Sequence, residues 1–344
     1  MNVSVKHISF SLAAVSLLAL SGCKNGDISF DDYAYTSAYF ATQNPKRTLV
    51  MGEDFENDNS LDNQHKCKIG ATMGGSYHGT NVVLDIAADN SLCDNLYFDE
   101  AYQNPVKPMP SSYYNLASNQ IKFEGDKWGF VEVEFTDAYF ADPLSVEGAY
   151  VIPLKITGFS GVDKIIDGVP NDAGSSPALT NADAWSVAPQ NYTLYNVTYM
   201  SKYAGWYLRR GKGRVNGKDT TRQWKNDYRI DDEVVQITTN SLNKVTLHLK
   251  YLVDNVETHY DIALTFDGSQ NCTISSDNPD IKVSGSGKYE DKGAGKYWGD
   301  RERDQLTLSY TIEDGKNKIT TEDILVTQRR GVTMEYTDYF YKSN

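Results

Sequence analysis

An all-β chain of two domains is predicted here by three observations. Tyrosine is abundant, 24 of 344 residues, and together with valine and threonine it favours the pleated surface of strands. Runs that alternate apolar and polar residues recur, among them "GFVEVEF" (129–135), "VVQITTN" (234–240), "VTLHLKYLV" (245–253) and "QLTLSYTI" (305–312). Gly, Asn and Asp punctuate these runs at hairpin spacing, and no amphipathic helix longer than two turns is found. At 344 residues the chain exceeds the usual size of one hydrophobic core, so two domains are expected.

The order of elements begins with a leader. Lys6 and His7 precede an apolar run over residues 8–20, which is too short to cross a ~30 Å hydrocarbon core and reads as an export signal. The sequence Leu20-Ser21-Gly22-Cys23 resembles the lipobox of bacterial lipoproteins, which implies cleavage after residue 22 and lipidation of Cys23. Residues 23–34 are polar and acidic, a tether carrying Asp27, Asp31 and Asp32. Residues 35–160 hold about seven strands, from "TSAYFAT" to "YVIPLKIT", and suit an immunoglobulin-like β-sandwich. In "GFVEVEF", Phe130, Glu132 and Glu134 share one face and Val131, Val133 and Phe135 the other, so the glutamates are expected to face water.

Residues 161–189 are dense in Gly, Pro, Ser, Asp and Asn and read as a linker that ends at Trp185, packed at the domain junction. Residues 190–344 form an antiparallel meander. An up-and-down barrel fits them best, because closure removes the edges that tyrosine-rich strands would otherwise present. The closing "MEYTDYFYKSN" is taken as the last barrel strand.

Charge narrows the function. Residues 1–189 carry 11 Lys+Arg against 24 Asp+Glu and residues 190–344 carry 22 of each, so the net charge of −13 lies N-terminally. Without a basic stripe to displace counterions, nucleic acid is not an expected partner. Apart from Cys23 there are three cysteines, none in a C-x-x-C pair; Cys67 and Cys93 are candidates for a disulfide and Cys272 for a free thiol.

No catalytic centre is expected. A glycosidase requires two carboxyls about 5–9 Å apart in a cleft, whereas Glu132/Glu134 and Asp231/Asp232 read as solvated strand and turn charges. No G-x-S-x-G motif occurs. His248 and His259 lack a third ligand, so neither a metal nor a cofactor is expected. The acidic stretch "GEDFENDNSLDN" (52–63) offers oxygen donors but lacks the glycine and glutamate positions of an EF-hand, and reads as a loop whose Asp and Asn residues cap its own turns.

Glycan binding needs an exposed aromatic face beside groups that bond hydroxyls. The candidates are Trp298 with Arg301 and Arg303, and Trp224 with Arg222 and Tyr228. Trp128, Tyr113 and Tyr114 are placed in the core of the first domain.

The first domain, through "NSLDNQHKCKIGATMGGSY", "SSYYNLASNQIKFEGDKWGFVEVEFTDAYFADP" and "YVIPLKI", resembles the N-terminal domain of Bacteroidetes two-domain outer-membrane lipoproteins, a domain that also precedes endo-β-N-acetylglucosaminidase modules. The second, through "APQNYTLYNVTYMSKYAGWYLRRG", "GSGKYEDKGAGKYWGDRERDQLTLSYTI" and "DILVTQRRGV", resembles their lipocalin-like partner domain. The resemblance implies a lipid-anchored outer-membrane protein encoded among glycan-harvesting genes. It also implies that Trp206 is structural, as the G-x-W tryptophan of lipocalins is, with Arg329 or Arg330 stacked on it. The expected function is non-catalytic capture of a polysaccharide or oligosaccharide facing the cell exterior, beside importer and glycosidase proteins. The alternatives are an adhesin or scaffold of an outer-membrane complex, and a lipocalin with a small apolar ligand in its lumen, against which the many tyrosines argue.

Overall fold

The computed structural model describes residues 32–219, 228–296 and 299–343. The leader, Cys23 and nearly all of the tether lie outside the described residues, as do Arg222, Trp224 and Trp298. The chain is almost all β: an open half-barrel sheet is followed by a closed eight-stranded antiparallel barrel. No described helix is long and apolar enough to cross a membrane.

The first sheet has twelve strands. From one edge ten of them run Lys164–Ile165, Ser37–Phe40, Lys66–Gly74, Trp128–Phe135, Gln120–Glu124, Asn81–Ala88, Tyr150–Ser160, Tyr192–Met200, Pro45–Val50 and Glu335–Tyr336; off this path Lys107–Pro108 pairs with Tyr150–Ser160 and Tyr114–Leu116 with Trp128–Phe135. Its two halves face each other across one core, as the sheets of the expected sandwich would, but they are hydrogen-bonded into one curled surface. Strand alternation supplies that core, with Cys67, Ile69, Ala71 and Met73 from one strand and Val131, Val133 and Phe135 from its neighbour. Two short helices, Asp137–Ala141 and Pro143–Glu147, plug one end; the Tyr139 hydroxyl donates to the Val197 carbonyl at 2.9 Å. Asp142 starts the second helix by accepting from the Leu144 amide at 3.0 Å.

Two segments assigned to the barrel on sequence belong to this sheet. Strand Tyr192–Met200 lies between Tyr150–Ser160 and Pro45–Val50, antiparallel to the first and parallel to the second. The breaker-rich residues before it therefore mark an excursion from the sheet and back, not a domain boundary. The C-terminal segment does not close the barrel either: Glu335–Tyr336 pairs with Pro45 and Lys46, and Phe340–Tyr341 with Leu96–Tyr97. Within the excursion, Trp185 packs on its own loop, over Gly168, and donates its Nε1–H to the Ala178 carbonyl at 3.0 Å.

The barrel strands are Gly205–Val215, Glu233–Thr239, Lys244–Val253, Val256–Phe266, Asn271–Ser275, Lys282–Gly295, Arg303–Glu313 and Lys318–Arg329, each paired with the next and the last with the first. Asp254 and Asn255, both at positive φ (48° and 65°), make the tight hairpin turn between Val253 and Val256. The interior is filled by side chains, including Tyr207, Leu249, Ile262, Tyr289 and Leu306, as the tyrosine content suggested.

The chain enters the barrel after Met200 and leaves it at Arg330, and the two crossings lie side by side. Arg330 is buried; its Nη1 donates to the carbonyls of Lys202 (2.6 Å) and Ala204 (2.5 Å), and its Nε to the carbonyl of Glu53 in the first domain (3.0 Å). Arg330 thus caps backbone at the junction, while Arg329 stacks on Trp206, its guanidinium carbon 5.6 Å from the ring centroid.

The expected Cys67–Cys93 bridge does not form. Cys67 points into the main core and Cys93 into a separate cluster with Leu92, Leu96 and Leu194, so their side chains serve different packing units, and both are free thiols, like Cys272. Burial pushes all three thiols up to about 12. Thiol-directed alkylation at pH 8 with peptide mapping should therefore leave Cys67, Cys93 and Cys272 unmodified in the native protein and label all three after unfolding. Replacement of Arg330 by Met, which strands three carbonyls, should lower stability in urea unfolding by about 3 kcal/mol or more.

Candidate functional site

The acidic loop is where the first domain reaches the barrel. Its carboxylates hold its own turns and tie it to the strand before it. Asp54 accepts from the Glu56 amide (3.0 Å) and the Asn57 side chain (3.1 Å), and Asp58 from the Ser60 amide (3.0 Å). Asp62, buried, takes the Arg47 guanidinium at 2.5 Å and the Val50 amide at 2.9 Å. These bonds present Phe55 to the barrel. Arg301 donates to the Phe55 carbonyl at 2.5 Å, and the Arg303 guanidinium lies 5.0 Å from the Phe55 ring centroid. Arg303 is itself fixed by donating Nη1 to the Thr327 (2.9 Å) and Gln328 (2.8 Å) carbonyls at the end of the last barrel strand.

Asp54, Phe55, Glu56, Arg301, Arg303 and Arg329 line, with Gln328, a cleft of about 500 Å³ between the domains. Arg301 and Arg303, picked out from the sequence, are brought together here. Burial, and then the like charge of Arg301, holds the Arg303 guanidinium below its ordinary range. Among the described residues neither Arg301 nor Arg329 has a carboxylate within ion-pair distance. Tyr228, grouped with Trp224 on sequence, lies elsewhere, 71% exposed just before the turn Arg229–Asp231.

A second cleft, of about 590 Å³, is lined by barrel residues Val215, Lys218, Glu233, Lys250, Tyr251 and Leu252 and by the turn at Asp254. Beneath it lies a buried polar cluster that sequence reading missed. Arg209 points inward and donates Nε and Nη2 to Asp323 Oδ2 (2.9 and 2.8 Å), Nη2 to the hydroxyls of Tyr251 (2.7 Å) and Tyr310 (3.0 Å), and Nη1 to Glu233 (3.2 Å). Gly211 makes this possible, since a Cβ there would fall 2.0 Å from Asp323 Oδ1. Burial works against the Arg209 charge, but Asp323 and the surrounding oxygens prevail and hold its pKa well above the ordinary value. The sequence carries a faint signal, because Arg209 shares the inward parity of Tyr207.

Comparison with known proteins follows the same division of the chain. Residues 202–331 match the family model Domain of unknown function (DUF5627), and residues 32–163 match an N-terminal-domain family model. A solved Bacteroides ovatus protein of unknown function is 39% identical, with a TM-score of 0.82 over 91% of this chain and 100% of that one. The chain belongs to that protein's family. A Bacteroides ovatus multidomain protein including DUF1735 (12% identity, TM-score 0.38, covering 81% of this chain and 89% of its own) and another Bacteroides ovatus protein of unknown function (10%, 0.37, covering 85% and 90%) are far less similar. No curated protein matches the chain. The N-terminal model, over residues 32–163, ends before strand Tyr192–Met200, although that strand belongs to the same sheet.

Removing one partner of the buried cluster leaves an unpaired charge, so Arg209→Met should cost about 3–5 kcal/mol in denaturant unfolding. Glu233→Gln, at the partly exposed end of the cluster, should cost under about 1 kcal/mol.

Proposed function

We propose that the chain is a lipid-anchored, non-catalytic protein of the outer membrane that captures glycan at the cell surface. The observation that carries this reading is the convergence of Arg301, Arg303 and Arg329 with Asp54, Glu56 and Gln328 on one open cleft. Guanidinium, carboxylate and amide groups together supply both donors and acceptors, which is what neighbouring sugar hydroxyls require. The donors are pre-positioned: Arg303 by two carbonyls and Arg329 by the Trp206 ring, so little side-chain freedom is lost on binding. Cys23 supplies the anchor, and the glycan is handed to neighbouring glycosidase or importer proteins. Holding a polymer at the surface raises the effective concentration of its chain ends there, so weak sites suffice. The C-terminal segment that a strand-donating adhesin would offer to a neighbour is paired on its own sheet, which favours capture over polymerisation.

Native affinity electrophoresis through gels containing host or plant polysaccharides tests the reading. At least one polymer should retard the wild-type protein, and Arg301→Gln with Arg329→Gln should weaken that retardation about tenfold while lowering the melting temperature by only a few degrees, since one carbonyl contact and one ring contact are lost. A wild-type protein that migrates freely through every gel refutes it.

A further inference from the structure

The first domain carries an aromatic surface that the junction cleft does not use. Strand Trp128–Phe135 alternates, so Trp128 shares the outward face of Phe130, Glu132 and Glu134; it lies outside the core in which the sequence reading placed it. Trp128 is 47% exposed and Phe130 53%, their ring planes are within 12° of parallel, and their centroids are 6.4 Å apart. Phe130 lies across the neighbouring strand at Gly70, where a Cβ would come within 2.9 Å of its ring. Glycine at that position therefore lets the ring lie against the backbone.

The surroundings point to one kind of occupant. Directly opposite Phe130 stand Gly70 on one side and Lys122 on the other, and Thr72 is opposite Trp128. Farther along the same face are the Lys66–Glu132 ion pair at 2.8 Å, Lys68 and Glu134. Lys66, Lys68 and Lys122 are matched in number by Glu124, Glu132 and Glu134, so the face offers hydrogen-bonding groups with no local excess of either charge, and the acidic surroundings disfavour an anionic polymer. A large aromatic side chain buries 150–250 Å² when fully covered, so two half-covered rings offer roughly 200 Å² together. That is well below the ~800 Å² per partner of a stable protein interface.

We propose that Trp128 and Phe130 form a second glycan site, a platform on which the apolar C–H faces of sugar rings in an uncharged polysaccharide stack. The inference rests on the reading that the protein captures glycan, but it places a separate contact on the other domain. A polymer held at both the junction cleft and the platform dissociates only when both let go.

The test uses the whole protein in native gels containing xyloglucan, galactomannan or mixed-linkage β-glucan, with pectin as the charged control. At least one neutral polymer should retard the wild-type protein, and Trp128→Ala and Phe130→Ala should each weaken retardation about tenfold. Both rings are half-exposed, so the melting temperatures should stay close to wild type, and a variant that fails to fold is replaced by Trp128→Gln. If the wild-type protein is retarded and both variants are retarded equally, the platform is wrong and the glycan reading stands. If no gel retards the wild-type protein, both fail. If sedimentation shows a dimer that Trp128→Ala dissolves, the face is an interface between copies and the platform is overturned.

Discussion

The guanidinium of Arg330 is the constraint on which the arrangement of the two domains depends. It is a charged group held almost wholly by backbone carbonyls, from both barrel-entry residues and from Glu53 in the acidic loop. Among the described residues no carboxylate lies within ion-pair distance of it; three oriented dipoles stabilise the cation, and each belongs to a segment that crosses between domains or reaches across them. The loop that presents Phe55 to Arg301 and Arg303 is thereby fixed at its root as well as its tip. The junction cleft is therefore a product of the domain packing and would vanish if the domains came apart.

The two domains solve the same problem differently. The barrel closes on itself and spends interior space on a polar cluster, accommodated by the missing side chain of Gly211. The first sheet stays open and shields its edges with two-residue strands, Lys164–Ile165 on one side and Glu335–Tyr336 on the other. Such short edges give a neighbouring chain little to pair with. The outer face is covered where Val151 and Leu194 pack against Leu92, Leu96 and Val106, and exposed on strand Trp128–Phe135, where Trp128 and Phe130 lie.

Much of this was legible in the sequence because strand alternation is a local signal. The parity of "GFVEVEF" placed Val131, Val133 and Phe135 inside and the glutamates outside, and the same parity, carried one step back, would have put Trp128 outside too. Hairpin spacing made the barrel visible, and the charged and aromatic composition near residue 300 singled out Arg301 and Arg303. What remained hidden was non-local. Arg209 and Asp323 are 114 residues apart, and nothing in either neighbourhood announces the other. The place of strand Tyr192–Met200 was misjudged because a breaker-rich stretch signals a loop without saying whether the chain that follows stays in the same sheet. The Cys67–Cys93 pairing failed for a related reason, since belonging to one domain does not mean sharing one core cluster.

The return of residues 335–341 to the first domain has a consequence for how the protein is made. As the chain emerges from the ribosome, strands Pro45–Val50 and Leu96–Tyr97 are complete long before the segments that pair with them. Every barrel residue is synthesised in the interval. The first domain is thus unfinished until residues 335–341 arrive, and a chain cut short after the barrel would leave strands Pro45–Val50 and Leu96–Tyr97 without these partners. A few backbone hydrogen bonds made by residues 335–341 therefore tie completion of the first domain to synthesis of the whole barrel.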